Sequence, residues 1–125
     1  MAEINGCTVI TPAESAELLT WGDEHTDGAY TTLIGAIPVG SPAPPLHIHP
    51  TTDEAFYVAE GQAAFRLGDE EISALAGSLV FVPRGTVHTA WNAGDTPARG
   101  LIIISPGNVE HEFVPVETDA EEQQQ

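Results

Sequence analysis

The amino-acid sequence predicts an all-β sandwich or barrel. Short apolar runs alternate with Gly, Pro and Asp punctuation along most of the 125 residues, the pattern of strands joined by turns. Helical periodicity is scarce. Gly68-Asp69 falls between two of the runs and suits a tight hairpin turn.

Taken in order, residues 6–10 read as a first strand. Thr11-Pro12-Ala13-Glu14 then has the form of a helix start, with an N-cap threonine, proline at the first helical position and glutamate placed for a capping box. A turn or two of helix is expected there, ending near Leu19 to Gly22. Strands are expected over 29–37, 46–49, 55–59, 63–67, 71–75, 78–82, 87–92 and 98–104. Pro42-Ala43-Pro44-Pro45 cannot be a central strand and straightens the chain ahead of residues 46–49. From 117 to 125 the sequence is acidic and glutamine-rich, with Ala120 its one apolar residue, so a disordered tail is expected. These breaks divide the chain into an N-terminal strand and short helix (1–28), a barrel (29–116) and the tail (117–125).

Nineteen acidic residues stand against Arg66, Arg84 and Arg99, with no lysine, for a formal charge of −16. Such a surface repels phosphate backbones and anionic membranes, which excludes nucleic-acid and lipid partners. Any field that attracts an anionic substrate must be local. Cys7 is the single cysteine, so no intrachain disulfide forms. With neither a ~20-residue apolar run nor a signal-like N-terminus, the expected location is the cytoplasm.

The chemistry concentrates in two stretches. In His47-Ile48-His49, side-chain alternation turns both imidazoles to one side of a strand. Glu54 follows across the turn-rich Pro50-Thr51-Thr52-Asp53, and His88 comes from a later strand. Neutral imidazoles with one carboxylate suit a divalent transition metal: Fe, Mn, Ni, Co, Cu or Zn. His25 and His111 stand apart from these stretches and read as surface histidines.

The spacing His47-x-His49-x4-Glu54-x6-Gly61, followed by Gly77-x5-Pro83-x-Gly85-x2-His88-x3-Asn92, resembles the two motifs of the cupin superfamily. The resemblance runs from about residue 29 to 106. One departure is Ser41, where the family has a glycine; Gly40 stands beside it. The strings Pro44-Pro45-Leu46-His47-Ile48-His49, Asp53-Glu54-Ala55-Phe56-Tyr57-Val58, Phe81-Val82-Pro83-Arg84-Gly85 and Ile103-Ile104-Ser105-Pro106-Gly107 are similar to small bacterial cupins of the quercetin-dioxygenase-like group. The resemblance implies a single-domain double-stranded β-helix (jelly-roll) barrel holding one divalent metal ion per chain on His47, His49, Glu54 and His88. It further implies a homodimer and a dioxygenase acting on a metal-chelating enol or phenol, with Glu54 as base. A non-redox cyclase, isomerase or lyase, and a non-catalytic binding protein, stand as alternatives.

Alternation also forecasts the walls of a small-molecule pocket. If Glu54 points inward, Phe56 and Val58 follow it, while Ala55, Tyr57 and Ala59 face out. Ala90 and Asn92 share the face of His88, and Val87, Thr89 and Trp91 take the other. Gly61 and Gly77 stand where the backbone needs a positive φ or a close approach.

Overall fold

The computed structural model describes residues 2–14, 19–21 and 25–117. Among them the regular structure is β: β1 (Ala2–Ile4), β2 (Cys7–Val9), β3 (Leu19–Trp21), β4 (Thr31–Ile37), β5 (His47–Ile48), β6 (Asp53–Glu60), β7 (Gln62–Leu67), β8 (Glu70–Leu75), β9 (Leu79–Val82), β10 (His88–Asn92), β11 (Ala98–Ser105) and β12 (Val114–Pro115). Two five-stranded antiparallel sheets, in the orders β12-β5-β10-β7-β8 and β3-β4-β11-β6-β9, make the double-stranded β-helix; β1 and β2 form a separate hairpin.

The strands expected from residue 29 to 104 all form, with ends shifted by one or two residues. Gly68-Asp69 makes the β7–β8 turn, since Leu67 pairs with Glu70. Three strands escaped the sequence reading. One is β1, joined to β2 through Asn5-Gly6, both at positive φ. Asn-Gly is a strong hairpin signal. Another is β12, whose two residues include Pro115, at the edge of its sheet where a missing N–H costs no ladder bond.

The third is β3. The expected helix falls partly on residues 15–18, outside the described residues, but Leu19–Trp21, which the expectation put near its end, pairs with β4 instead. Its start signal is nonetheless in place. Glu14 Oε1 accepts both the Thr11 N–H (3.1 Å) and the Thr11 hydroxyl (2.8 Å), and residues 12–14 make a turn.

The core lies between the inner faces of the two sheets. Val58, Ala63, Phe65, Ala74, Val80 and Val82 are buried together, with Phe56, Leu67 and Ala90 packed against them. Alternation is clean on β9: Val80 and Val82 point in, whereas Leu79 and Phe81 are 54% and 69% exposed. Tyr57 faces out as expected, but Thr89 does not meet solvent. Its hydroxyl donates to Pro44 O (2.8 Å), so the proline segment covers it.

Gly61 and Gly77 both sit at positive φ, +78° and +95°. They differ in what a side chain would meet. A Cβ on Gly61 would run into the backbone carbonyl of Pro97, and one on Gly77 has nothing within 4 Å. Gly77→Ala should therefore cost only the left-handed penalty of about 1–2 kcal/mol, and Gly61→Ala distinctly more. Thermal melts of the two variants test the order; equal losses would show that the Pro97 contact relaxes freely.

Candidate metal centre

Four side chains converge where the two sheets face each other. His47 on β5 and His88 on β10 are directly paired across the sheet, with ring centroids 4.4 Å apart. His49 follows β5 on the segment that crosses between sheets, and its ring lies 4.9 Å from that of His47. Glu54 comes from β6 in the opposite sheet. All four are buried, Glu54 at 6% exposure and His88 at 2%. Glu54 Oε1 lies 2.9 Å from His88 Nε2 and 3.1 Å from His49 Nε2. The donor atoms of His47, His49 and His88 all lie within 4.8 Å of one another.

The orientation of each ring is set by its other nitrogen. Nδ1 of His47 donates to Pro45 O (2.8 Å), that of His49 to Glu112 O (2.6 Å) and that of His88 to Thr86 O (2.8 Å). A carbonyl can only accept, so Nδ1 carries the hydrogen in each ring and Nε2 is turned to the common centre. This is the outer-shell arrangement that aims histidine at a metal. The donor set therefore fits a divalent transition ion.

The scaffold around the donors is equally local. Asp53, next to Glu54, accepts from Arg84 three times: Oδ1 from the backbone N–H (2.9 Å) and Nε (3.0 Å), Oδ2 from Nη2 (3.0 Å). Side-chain and backbone hydrogen bonds from Arg84 hold the Asp53 carboxyl down at about 2. Gly85 N–H donates to His49 O (2.9 Å). Together these tie the β9–β10 turn, which delivers His88, to the strand start that delivers Glu54.

Electrostatically the centre is a buried carboxylate among imidazoles. Burial pushes the Glu54 carboxyl up, but the His111 and His88 rings beside it, with charge from His49 and His88, outweigh that and hold it at about 2. Burial pushes His47 and His49 down. It opposes protonation of His88 as well, but Glu54 and the Thr86 carbonyl overcome it and raise that ring. His88 thus has an oxygen beside each ring nitrogen, Thr86 O at Nδ1 and Glu54 Oε1 at Nε2.

The residues forecast as pocket walls separate into two kinds. Phe56, Val58 and Ala90 line an apolar cavity of about 140 Å³ with Leu33, Phe65 and Ile102. The cavity begins one register step beyond the donors, since Glu54 pairs with Ile104, Phe56 with Ile102 and Val58 with Gly100. Asn92 is not among its lining residues. Its amide donates to Ile37 O (2.9 Å) and Thr96 O (2.8 Å), and its oxygen accepts from Gly94 N–H (2.8 Å), so it secures the β10–β11 turn.

The surface reading of the remaining histidines needs correcting. His25 is partly buried. His111 belongs to the centre: its ring stacks on His49 at 3.8 Å, its Nε2 lies 3.6 Å from Glu54 Oε2, and its Nδ1 is 2.6 Å from the Thr52 hydroxyl. The alternation in Glu110-His111-Glu112-Phe113 is the one sequence signal that could have placed it on a strand-like segment.

The Glu54 shift has a stability consequence. A carboxyl lowered from 4.5 to about 2 contributes stability that is fully present above pH 4.5 and lost as pH falls through 2. At about 1.4 kcal/mol per unit, this is on the order of 3 kcal/mol. In the metal-free protein, Glu54→Gln should be less stable than wild type at pH 7, and the gap should close between pH 4.5 and 2. A gap that stays constant over that range would show that Glu54 is not the titrating group.

Comparison with known proteins is consistent with this geometry. Residues 33–104 match the Cupin_2 family, described as a cupin domain. Over 76 residues the chain is 37% identical to the tetracenomycin polyketide synthase protein TcmJ of Streptomyces glaucescens, covering 55% of this chain and 51% of that protein. It is 33% identical over 70 residues to the uncharacterized protein MJ1618 of Methanocaldococcus jannaschii, covering 56% and 55%. The chain thus spans about half the length of the curated relatives it matches. A conserved protein with a double-stranded β-helix domain from Klebsiella pneumoniae superposes with a TM-score of 0.71 at 18% identity, covering 88% of this chain and 99% of that one. With the matched family spanning more than half of the sequence, and with the barrel and its histidines placed as described, the chain belongs to the cupin family.

Proposed function

We propose that the centre holds one divalent transition metal ion on His47, His49, Glu54 and His88, and that the protein is a metal-dependent enzyme of the dioxygenase type acting on a small enol or phenol. The observation that supports this reading best is that three imidazoles, each fixed through Nδ1, bring donor atoms within 4.8 Å of one another, with Glu54 Oε1 2.9 and 3.1 Å from two of them. Three neutral imidazoles, one carboxylate and a divalent ion sum to +1, a charge that favours an anionic oxygen ligand. When bound, the ion supplies Lewis acidity and, for a redox-active metal, access to O₂. His47, His49, Glu54 and His88 would hold the ion with four protein donors, and a six-coordinate ion would then still accept ligands from outside the chain.

The chain's own part is proton transfer and placement. Glu54 accepts the substrate's hydroxyl proton, since a carboxylate can loosen from a metal and act as base. Phe56, Val58 and Ala90 receive the apolar part of the substrate. A second reading, a non-redox cyclase, isomerase or lyase, is favoured by one observation: a 37% identical relative is a polyketide synthase protein. Metal analysis followed by oxygen-electrode assays separates the two. Oxygen uptake stoichiometric with product supports the dioxygenase, while full turnover with Zn under anaerobic conditions would replace it with the second reading.

His47→Ala, His49→Ala or His88→Ala should each lose most of the metal. Glu54→Gln should keep much of it yet lose 10²–10⁴-fold in turnover, the usual range for a missing general base, when compared at equal occupancy. Near-normal turnover in Glu54→Gln would leave that residue a ligand only.

We also place the protein in the cytoplasm; no helix among the described residues is long and apolar enough to cross a membrane. The homodimer is proposed through β2, whose pairing among the described residues is with β1 alone. Light scattering should give twice the chain mass, falling to a monomer when residues 1–10 are removed; a monomer from the start would discard the proposal.

A further inference from the structure

Residues 110–116 lie outside the stretch that matches the cupin family, which ends at 104, yet they are fastened across the mouth of the centre. Val116 N–H donates to Leu46 O (2.8 Å), Val114 and Pro115 pair with Ile48 and His47, and the Thr51 hydroxyl donates to Glu110 O (3.0 Å). His49 Nδ1 donates to Glu112 O. Two residues apart, His111 and Phe113 project to the same side and stack on His49 and His47, at 3.8 and 4.0 Å with interplanar angles of 20°.

We propose that this strap completes the centre by supplying His111 as a positioning residue, which holds Glu54 by Oε2 and so leaves Oε1 alone to face the metal. The inference rests on reading the centre as a metal site. The carboxylate divides its two oxygens cleanly: Oε1 faces His49 and His88, and Oε2 faces His111. The Thr52 hydroxyl lies 2.6 Å from His111 Nδ1, and Nε2 of the same ring faces Oε2 across 3.6 Å. In the proposed arrangement Thr52 donates its O–H to Nδ1, which leaves the ring hydrogen on Nε2, toward the carboxylate. Thr52 is 1% exposed, so its hydroxyl is shut away from solvent beside that ring. The chain Thr52 to His111 to Glu54 is therefore directional. By restraining Oε2 it keeps Glu54 from closing on the ion through both oxygens, and a coordination position stays open for substrate.

The test uses full-length protein titrated with Co²⁺ and read by chelator competition, visible absorption and paramagnetic proton NMR. Thr52→Val is close to isosteric and removes the hydroxyl that bonds His111 Nδ1. It should weaken Co²⁺ binding by about 10–100-fold, the usual cost of a lost outer-shell partner, and Thr52→Ser should restore it. His111→Phe keeps the stack on His49 but removes both nitrogens. It should match Thr52→Val in affinity, and its visible bands should weaken as Glu54 adds a second oxygen to the ion. His111→Gln, with an amide hydrogen still able to reach Oε2, should recover part of both. Wild type should show shifted ring N–H signals from His47, His49 and His88 only.

Wild-type affinity and spectra in both Thr52→Val and His111→Phe would overturn the proposal. So would a fourth shifted ring N–H that disappears in His111→Phe, because His111 would then be a ligand itself. Failure of the wild-type chain to take up Co²⁺ would sink the metal reading, and this inference with it, through a different measurement.

Discussion

Glu54 is a carboxylate at 6% exposure, the one buried acidic side chain among the described residues, and the rest of the centre is organised by what that burial demands. Removing an ion from water costs several kcal/mol unless charge and hydrogen bonds replace the solvent. The replacements come from three separate places in the chain: His88 on β10, His49 after β5 and His111 on the strap. None of the elements that supply them can satisfy the carboxylate alone.

That demand explains where the few cations are spent. Of the three arginines, Arg84 is committed to Asp53, Arg66 donates to Gly68 O, and Arg99 lies 3.8 Å from Glu60. None contacts Glu54 in the structure. In a chain of formal charge −16, the positive potential at the centre is left to imidazolium or metal. A local charge of this kind, buried and little screened, acts over a few ångströms without altering the repulsive exterior. An anionic ligand would be held by the centre and not drawn to the surface as a whole.

How much of this could be read from the sequence follows from how far apart the interacting residues lie. The four converging side chains were legible because two short motifs fix them in linear order, and alternation put Phe56, Val58 and Ala90 on the face that lines the apolar cavity. Asn92 shares that face, but its amide is drawn to the backbone of its own turn, a competition that face assignment alone does not weigh. His111 was illegible for a different reason. Its partner Thr52 is 59 residues away, and the strap that carries it pairs through only two residues, one of them a proline. Leu19–Trp21 was misassigned because a helix-start signal at Thr11 is local, whereas pairing with β4 is a tertiary event that local signals do not encode. The turn at residues 12–14, with Glu14 bonded back to Thr11, shows that the signal itself was read correctly.

The depth of the barrel adds a constraint on what the centre can accept. Phe56 and Ala90 line the apolar cavity, and the Phe56 ring lies 6.5 Å from that of His88, so the polar and apolar parts of the interior adjoin there. A ligand that uses both must be amphipathic, with oxygen atoms at one edge and a hydrocarbon body behind them. The cavity volume of about 140 Å³ limits that body. Apolar cavities of roughly 150 Å³ admit benzene, so the interior has room for one ring or a short alkyl group. On the proposed chemistry, the cavity has room for the body of a single phenolic ring, whereas a multi-ring enol would leave most of its skeleton outside, against the strap. Phe113, half-exposed and stacked on His47, is the apolar surface available to it there.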